Sequence, residues 1–505
     1  MAVHRFRDIL RAGRPGRCTA TAVAALMVAA VWGGNALAVD QTFNISLLGQ
    51  SDPLHPNLFP NSSTSHVYGD VWVEGNYAYL GTDVNGGGIS IFDISIPSNP
   101  QFIRNPLNPF GAITMPTYVG DQMEDVEVYN GIGYFGSDVS TSSGTGVDIV
   151  DLSDPTHPVF LSRINGAING HNKVHTLSYH EDYLYTSDNA TDTIKVFDVS
   201  DPGNPQYKWT VDIGLPSGQA SHEVVTIDGR MFVASKNNND SSFNSGTTAI
   251  YDVSNVGTTA PVLLKKFATG ARTHTGTVSE DGNLLVITQE RSNGEVRLYD
   301  ISNIDEPNDP DNPVLLSVMD RTSVGIDAYS PHHPHLHGDM LMVSWYEAGL
   351  QVFNIADPTN PVRTGSYDTF AGTSTNYNGN WGNFIQLNEE GILQNVFLSD
   401  RTKGLIVVDV SDAASTGDFN DDDVVDGADF LAWQRNVGVT SNATLAMGDG
   451  TRDKKVNFRD LDVWKFQWGE SGAHHAVTAV PEPATTLLAT IGMLALVGRR
   501  AFRRR

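Results

Sequence analysis

The sequence predicts a mainly β fold: a seven-bladed β-propeller over residues 39–413, followed by a small α-helical module over 414–470. Three observations predict it. One phrase returns seven times at a near-constant period. The stretches between its copies alternate apolar and polar residues, and almost none has helical spacing. Beyond residue 413 the composition changes, and an acidic loop followed by a short amphipathic stretch occurs twice.

The repeated phrase is clearest at 197–206, "FDVSDPGNPQ". Its other copies are "FDISIPSNPQF", "VDLSDPTHPVF", "YDVSNVGTTAPVLL", "YDISNIDEPNDPDNPVLL", "FNIADPTNPV" and "VDVSDAAS". The marker residues are Asp93, Asp151, Asp198, Asp252, Asp300, Asn354 and Asp409, spaced 58, 47, 54, 48, 54 and 55 apart. That period suits one four-stranded propeller blade per copy. Within each unit an alternating pair of strands flanks a tight turn, as in "DVWVEGNYAYLGTD". A second apolar strand leads into the marker, where Asp and Ser bond to local backbone and prolines end the pairing. A short strand such as "PVLLSVM" completes the unit. The seventh copy lacks this last strand, and "FNISLLGQ" at 43–50 resembles it. The chain start is therefore expected to pair into the last blade and close the ring, removing exposed sheet edges. An eighth partial blade is the alternative.

These repeats resemble the LVIVD family of propeller repeats. The region from about 43 to 410 is also similar to the choice-of-anchor B surface-protein family. That likeness is carried by "ISLLGQSDP", "THTGTVSEDGNLLVITQE", "WYEAGLQVFNIADPTNPV", "YNGNWGNF" and "SDRTKGLIVVDV". It implies a shared extracellular domain joined to different anchors, and no particular activity.

Both ends carry processing signals. Arg5, Arg7, Arg11, Arg14 and Arg17 precede a small-apolar run, and Ala36 and Ala38 stand where a signal peptidase reads. Residues 1–38 read as a secretory signal peptide cut after Ala38; a retained anchor helix is the alternative. Loss of five arginines and Asp8 moves the formal charge from −26 to −30. So acidic a chain repels nucleic acid and attracts divalent cations. The sole cysteine, Cys18, goes with the leader, which excludes disulfides, thiol nucleophiles and cysteine-ligated metal. At the other end, Pro481, Glu482 and Pro483 precede an apolar run and five arginines. This segment, 480–505, resembles a PEP-CTERM sorting signal, which implies processing by an exosortase-type membrane protease. It contacts the membrane only before processing; a plain C-terminal anchor is the alternative. Residues 471–479 read as a flexible linker.

The 414–470 module has calcium-loop spacing. Asp418, Asn420, Asp422, Asp426 and Asp429 hold positions one, three, five, nine and twelve, with the Val424 carbonyl at seven. Asp449, Thr451, Asp453, Asn457 and Asp460 repeat the pattern, with the Lys455 carbonyl at seven. Two calcium ions are expected. Asp423 and Lys454 stand at position six, where glycine is common, and basic residues weaken the second loop's field. The first loop is therefore expected to bind more tightly. The duplicated loop and helix resemble a type I dockerin, which implies a cohesin-like partner, or here an envelope or matrix protein. Trp433, Trp464, Phe466 and Trp468 are candidates first for its core and then for its interface.

The channel-lining strand of each blade is the one before the tight turn. His66, His171, His175, His222, His274 and the run His332, His333, His335 and His337 fall near it, with Glu124, Asp125 and Glu223. Strand alternation puts His333, His335 and His337 on one face and leaves His332 on the other. His175, His222, His274 and His335 are the candidate ligands for zinc, copper, iron or manganese. A polar channel whose histidines bond to backbone and water explains the same residues. The sequence contains no P-loop, nucleophile elbow or HExxH. The expected function is an exported cell-surface binding or scaffold protein. The alternatives are a metal-dependent enzyme with a histidine-lined channel and a component of a polysaccharide-degrading assembly.

Overall fold

The computed structural model describes residues 42–468 except 54–67, 83–87, 104–122, 139–144, 216–218, 238–245, 306–312, 327, 329, 371–376, 389–390, 392, 421–423 and 453. The leader with its cleavage point at Ala38, the linker, the tail with Pro481, Glu482 and Pro483, and His66, Asp422, Asp423 and Asp453 lie outside the described residues.

Among the described residues, 28 strands form seven antiparallel groups of four. Blades one and two join through a single pairing of Thr82 with Met123. The innermost strands are Tyr68–Glu74, Met123–Tyr129, Thr176–His180, Gln219–Ile227, Thr273–Val278, Pro334–His337 and Asn380–Leu387. Each touches the next in cyclic order, and the seventh touches the first. The fold is a closed seven-bladed propeller.

The repeated phrase builds the same local structure in every blade. Oδ1 of Asp93, Asp151, Asp198, Asp252, Asp300, Asn354 and Asp409 accepts the backbone N–H two residues on, at 2.8–3.1 Å. This side-chain turn stops the third strand and aims the chain at the outer one. The hairpins behave as their residues require. Asn130–Gly131, Glu181–Asp182 and Asp228–Gly229 all have positive φ at both positions, the condition for two-residue turns matching the sheet twist.

Closure follows the expected route. Ser46–Ser51 pairs antiparallel with Gly404–Asp409 and becomes the outer strand of blade seven. Before that, Phe43 exchanges two backbone hydrogen bonds with Ser366 of blade six (2.8 and 2.9 Å). Apolar side chains pack between neighbouring blades rather than around the axis. Tyr68, Val71 and Leu80 of blade one meet Phe397, Leu405 and Val407 of blade seven. The same blade-on-blade packing recurs around the ring. The axis is left to the polar residues of the innermost strands.

Beyond the propeller, helices α1 (Gly427–Asn436) and α2 (Phe458–Gln467) pack over Phe419, Trp433, Val456 and Leu461. Each starts with a capping box, Asp426 with Asp429 and Asn457 with Asp460. The module touches blade six: Asn354 Nδ2 donates to Ser415 Oγ (2.8 Å), and Arg459 pairs with Asp357 (3.3 Å).

Candidate functional site

A regular strand sends alternate side chains to opposite faces. The innermost strands break this rule. Their pairing slips between Tyr68 and Val71, Met123 and Asp125, Ser221 and Glu223, Thr273 and Gly276, and Asn380 and Gly382. In blade six one residue faces two: Ser344 accepts from His332 N (2.8 Å) and donates to His333 O (2.9 Å). Such bulges re-aim the extra residue. Adjacent residues therefore both reach the channel, as Glu124 with Asp125 and His332 with His333 do. This corrects the alternation argument, which separated His332 from His333.

The result is a belt of imidazoles across four blades. Ring centroids lie 4.4 Å apart for His175–His222, 4.3 Å for His222–His274, 4.3 Å for His274–His332 and 4.3 Å for His332–His333. His175, His222 and His274 thus come together as the sequence suggests. His335 does not join them: its Nδ1–H donates to Asn383 Oδ1 (3.0 Å), and Asn383 Nδ2 donates to the His333 carbonyl (3.0 Å). His337 sits 3.4 Å from Glu280, and His171 lies by an open recess on blade three with Lys173, Asp188 and Lys195. The sequence reading missed His332 and His333 as a pair, and Asp70, Asp138, Glu290 and Trp381 altogether. Adjacent polar residues on one inner strand, "ED", "HE" and "HH", were the available signal for the bulges.

Hydrogen bonds to carbonyls fix the ring tautomers. A carbonyl only accepts, so the nitrogen facing it carries a proton. His222 Nδ1–H donates to the His274 carbonyl (3.3 Å), and His332 Nδ1–H donates to the Trp381 carbonyl (2.6 Å). His222 Nε2 is then an acceptor and takes the His175 Nε2–H at 2.9 Å. His175 Nδ1 faces Asp138 (3.3 Å) and Glu124 (3.5 Å). Burial alone would push His175 down, but these two carboxylates outweigh it and lift its pKa to about 10. Burial likewise opposes charge on His333, yet Asp70 at 3.5 Å, with Glu223 and Asp125, raises it to about 9. His222, His274 and His332 go the other way: burial, then neighbouring cationic groups, hold them well below the usual value. Burial first, then carboxylate neighbours, push Asp125 and Glu127 up. Burial raises Glu223 to about 7 against the pull of His333 and His175.

The belt and carboxylates enclose a cavity of about 20 Å³, lined by Asp70, Glu124, Asp125, Glu223, His274, His332 and other channel residues. Three sets of three side chains bring ligand atoms within 4.8 Å of one another: His274–His332–His333, His222–Glu223–His274 and Glu124–Asp138–His175. Arg401 stacks at 4.5 Å on Trp381, which lines the same cavity, and Tyr346 Oη donates to Glu290 (2.8 Å).

The two loops of the helical module match each other closely. Asp429 accepts from Phe419 N (2.7 Å), Asn420 N (3.1 Å) and Asp426 N (2.8 Å). Asp460 accepts from Thr451 N (2.9 Å) and Asn457 N (2.7 Å). Trp433 Nε1 donates to the Asn457 carbonyl (2.6 Å), and Trp464 Nε1 donates to the Asp426 carbonyl (2.9 Å). Each helix thus braces the other helix's N-cap. Asp426 and Asn457, candidate ligands by spacing, serve as those caps, accepting from Ala428 N and Arg459 N. Asp418, Val424 and Lys455 lie along the loops with Asn420 and Asp449. Asp449 Oδ2 accepts from Lys454 N (2.9 Å), and Lys454 has φ +64°, the left-handed conformation glycine takes without cost.

The comparisons agree with the repeats and the tail. The LVIVD repeat model matches residues 68–106, 142–165, 173–213, 335–369 and 396–417. The PEP-CTERM protein-sorting motif matches 479–505. Among solved structures, the chain is similar to the crystal structure of the Myceliophteria thermophila Cps50 (Swd1) β-propeller domain, at 12% identity and a TM-score of 0.45, covering 69% of this chain and 98% of that one. No curated protein matches. The chain carries LVIVD repeats folded as a propeller and a PEP-CTERM signal that implies exosortase processing, and it is an exported protein sorted to the cell surface or envelope.

Proposed function

We propose that the protein is a surface-displayed binding platform whose propeller is attached through a calcium-locked, dockerin-like module at 414–470. The observation that carries this reading is the internal symmetry of the module. Two loops of the same ligand spacing end in buried carboxylates with matching backbone partners, and two tryptophans brace the opposite helix caps. Duplicated loop-and-helix units of this size have little apolar core, and bound calcium supplies folding energy to such domains. The partner is a protein of cohesin type or an envelope or matrix protein, recognised by the helices.

Calcium titration of the chain lacking leader and tail tests this. Two ions bind, the first loop more tightly, and a chelator selectively lowers the melting of the helical module. Asp418→Ala removes the tighter event and Asp449→Ala the weaker. Absence of calcium heats, with melting unchanged by chelator, would end the proposal.

Lys454 yields a separate expectation. Lys454→Gly removes a cation from the second loop and relieves the positive φ, a cost of about 1 kcal/mol for a non-glycine residue. Second-loop calcium affinity rises a few-fold, and the module melts at higher temperature. Lys454→Ala, which keeps the backbone cost, gives the affinity gain without the stability gain.

A further inference from the structure

We propose that the propeller channel binds one divalent first-row transition-metal ion, held by His274, His332 and His333 with the Glu223 carboxylate. This goes beyond the platform reading and does not depend on the calcium module.

Geometry carries the argument. His274 belongs to two of the three ligand sets and so links them. One set brings in His332 and His333, and the other brings in Glu223. These four residues line the 20 Å³ cavity. That volume suits one small occupant. Among the described residues, three atoms of this group find no hydrogen-bond partner: His274 Nδ1, His332 Nε2 and Glu223 Oε2. All three side chains are more than nine-tenths buried. The His332 ring is already oriented, because its Nδ1–H is fixed on the Trp381 carbonyl and its Nε2 lone pair is left for a ligand. Metal-bound histidines are characteristically held this way by their second nitrogen. The other imidazoles and carboxylates form the surrounding shell. His175 and His222 hydrogen-bond each other, and Asp70 faces His333.

The donor set decides the metal class. Three imidazoles with one carboxylate suit zinc, copper, iron or nickel, whereas magnesium and calcium prefer oxygen ligands throughout. The channel residues also give the ion charge balance. Asp70, Glu124, Asp125 and Glu223 all line the cavity, and a divalent cation offsets their mutual repulsion.

The test is elemental analysis of the chain lacking leader and tail, prepared without chelator, together with cobalt(II) titration followed by visible absorption. The expected result is close to one equivalent of zinc, copper, iron or nickel per chain. Cobalt should give d–d bands that saturate at one equivalent. His274→Ala should abolish both. Glu223→Gln, which keeps the side-chain volume, should weaken cobalt binding at least tenfold while leaving the melting temperature of the metal-free protein unchanged. Calcium is counted as a separate element, so failure of the module reading and failure of this one are distinguishable. Less than a tenth of an equivalent of any transition metal, with no cobalt bands from folded protein, overturns the proposal. So does undiminished binding in both variants, which places the ion elsewhere. If His274→Ala does not fold, the Glu223→Gln titration decides.

Discussion

Removing residues 42–51 should unfold the propeller or drive it to aggregate, the largest effect expected of any short deletion outside the cores. This segment is the outer strand of blade seven, paired from Ser46 to Ser51 with Gly404–Asp409. It also staples blade six, through the Phe43–Ser366 bonds and Asn44 Nδ2 donating to the Thr364 carbonyl (2.8 Å). Ile45 is buried against Val352, Ile406 and Val408, and Leu48 packs by Phe397 and Leu405. Losing two such side chains costs about 3–6 kcal/mol by transfer alone. Net stabilities are only about 5–15 kcal/mol, so the loss is comparable with the whole. The bare strand Gly404–Asp409 then becomes an exposed edge able to pair with another chain. The measurement is thermal melting with light scattering, on the chain lacking the leader, with and without 42–51. A melting temperature lowered by only a degree or two, with a monomer retained, would mean that blade seven holds without its fourth strand. Ile45→Ala is the milder companion, at about 2–4 kcal/mol.

The ring closure could be read in advance because its information is local. A strand pattern at the chain start resembled the outer strand that the seventh unit lacks. The blades were legible for the same reason. Every marker Asp or Asn makes its bond two residues along, so the geometry needs nothing distant. The channel is different. His175 meets His222 from 47 positions away, and His332 meets Trp381 from 49. Their convergence depends on the radius of a ring that no single repeat encodes. The bulges matter more still. A register slip leaves no signature in propensity, yet one extra residue exchanges the faces of the strand. That is why His335 looked like a ligand and instead bonds to Asn383, while His332, assigned to the wrong face, reaches the centre. In the helical module the loop spacing was readable, but the mutual bracing of Trp433 and Trp464 was not, because each reaches the other helix's cap.

The second large effect is expected at Arg163. Asp148 lies on the third strand of blade two with no exposed side-chain surface, and Arg163 of the outer strand meets it at 2.7 Å through Nε and 3.4 Å through Nη2. The pairing is fixed by sheet register, since the two residues are directly opposite. The Arg163 side chain is about one-fifth exposed, so water reaches the arginine but not the carboxylate. Arg163→Ala therefore takes the guanidinium away from a carboxylate that has no exposed surface. Removing one partner of a buried pair typically costs about 3–5 kcal/mol, because the desolvation penalty of the other remains. Replacing both partners should cost much less. The pair Asp148→Leu with Arg163→Met supplies apolar atoms of similar size and leaves no charge to solvate, so most of the lost stability should return. Melting of the wild type, the single variant and the double variant separates the possibilities. A large loss in Arg163→Ala that the double variant recovers identifies the broken charge pair as the cause. A loss of equal size in both would assign the effect to packing of the arginine side chain, whose Cζ lies 5.7 Å from the centre of the Phe160 ring. A change below about 1 kcal/mol in Arg163→Ala would show that water enters and solvates Asp148 once the arginine is gone.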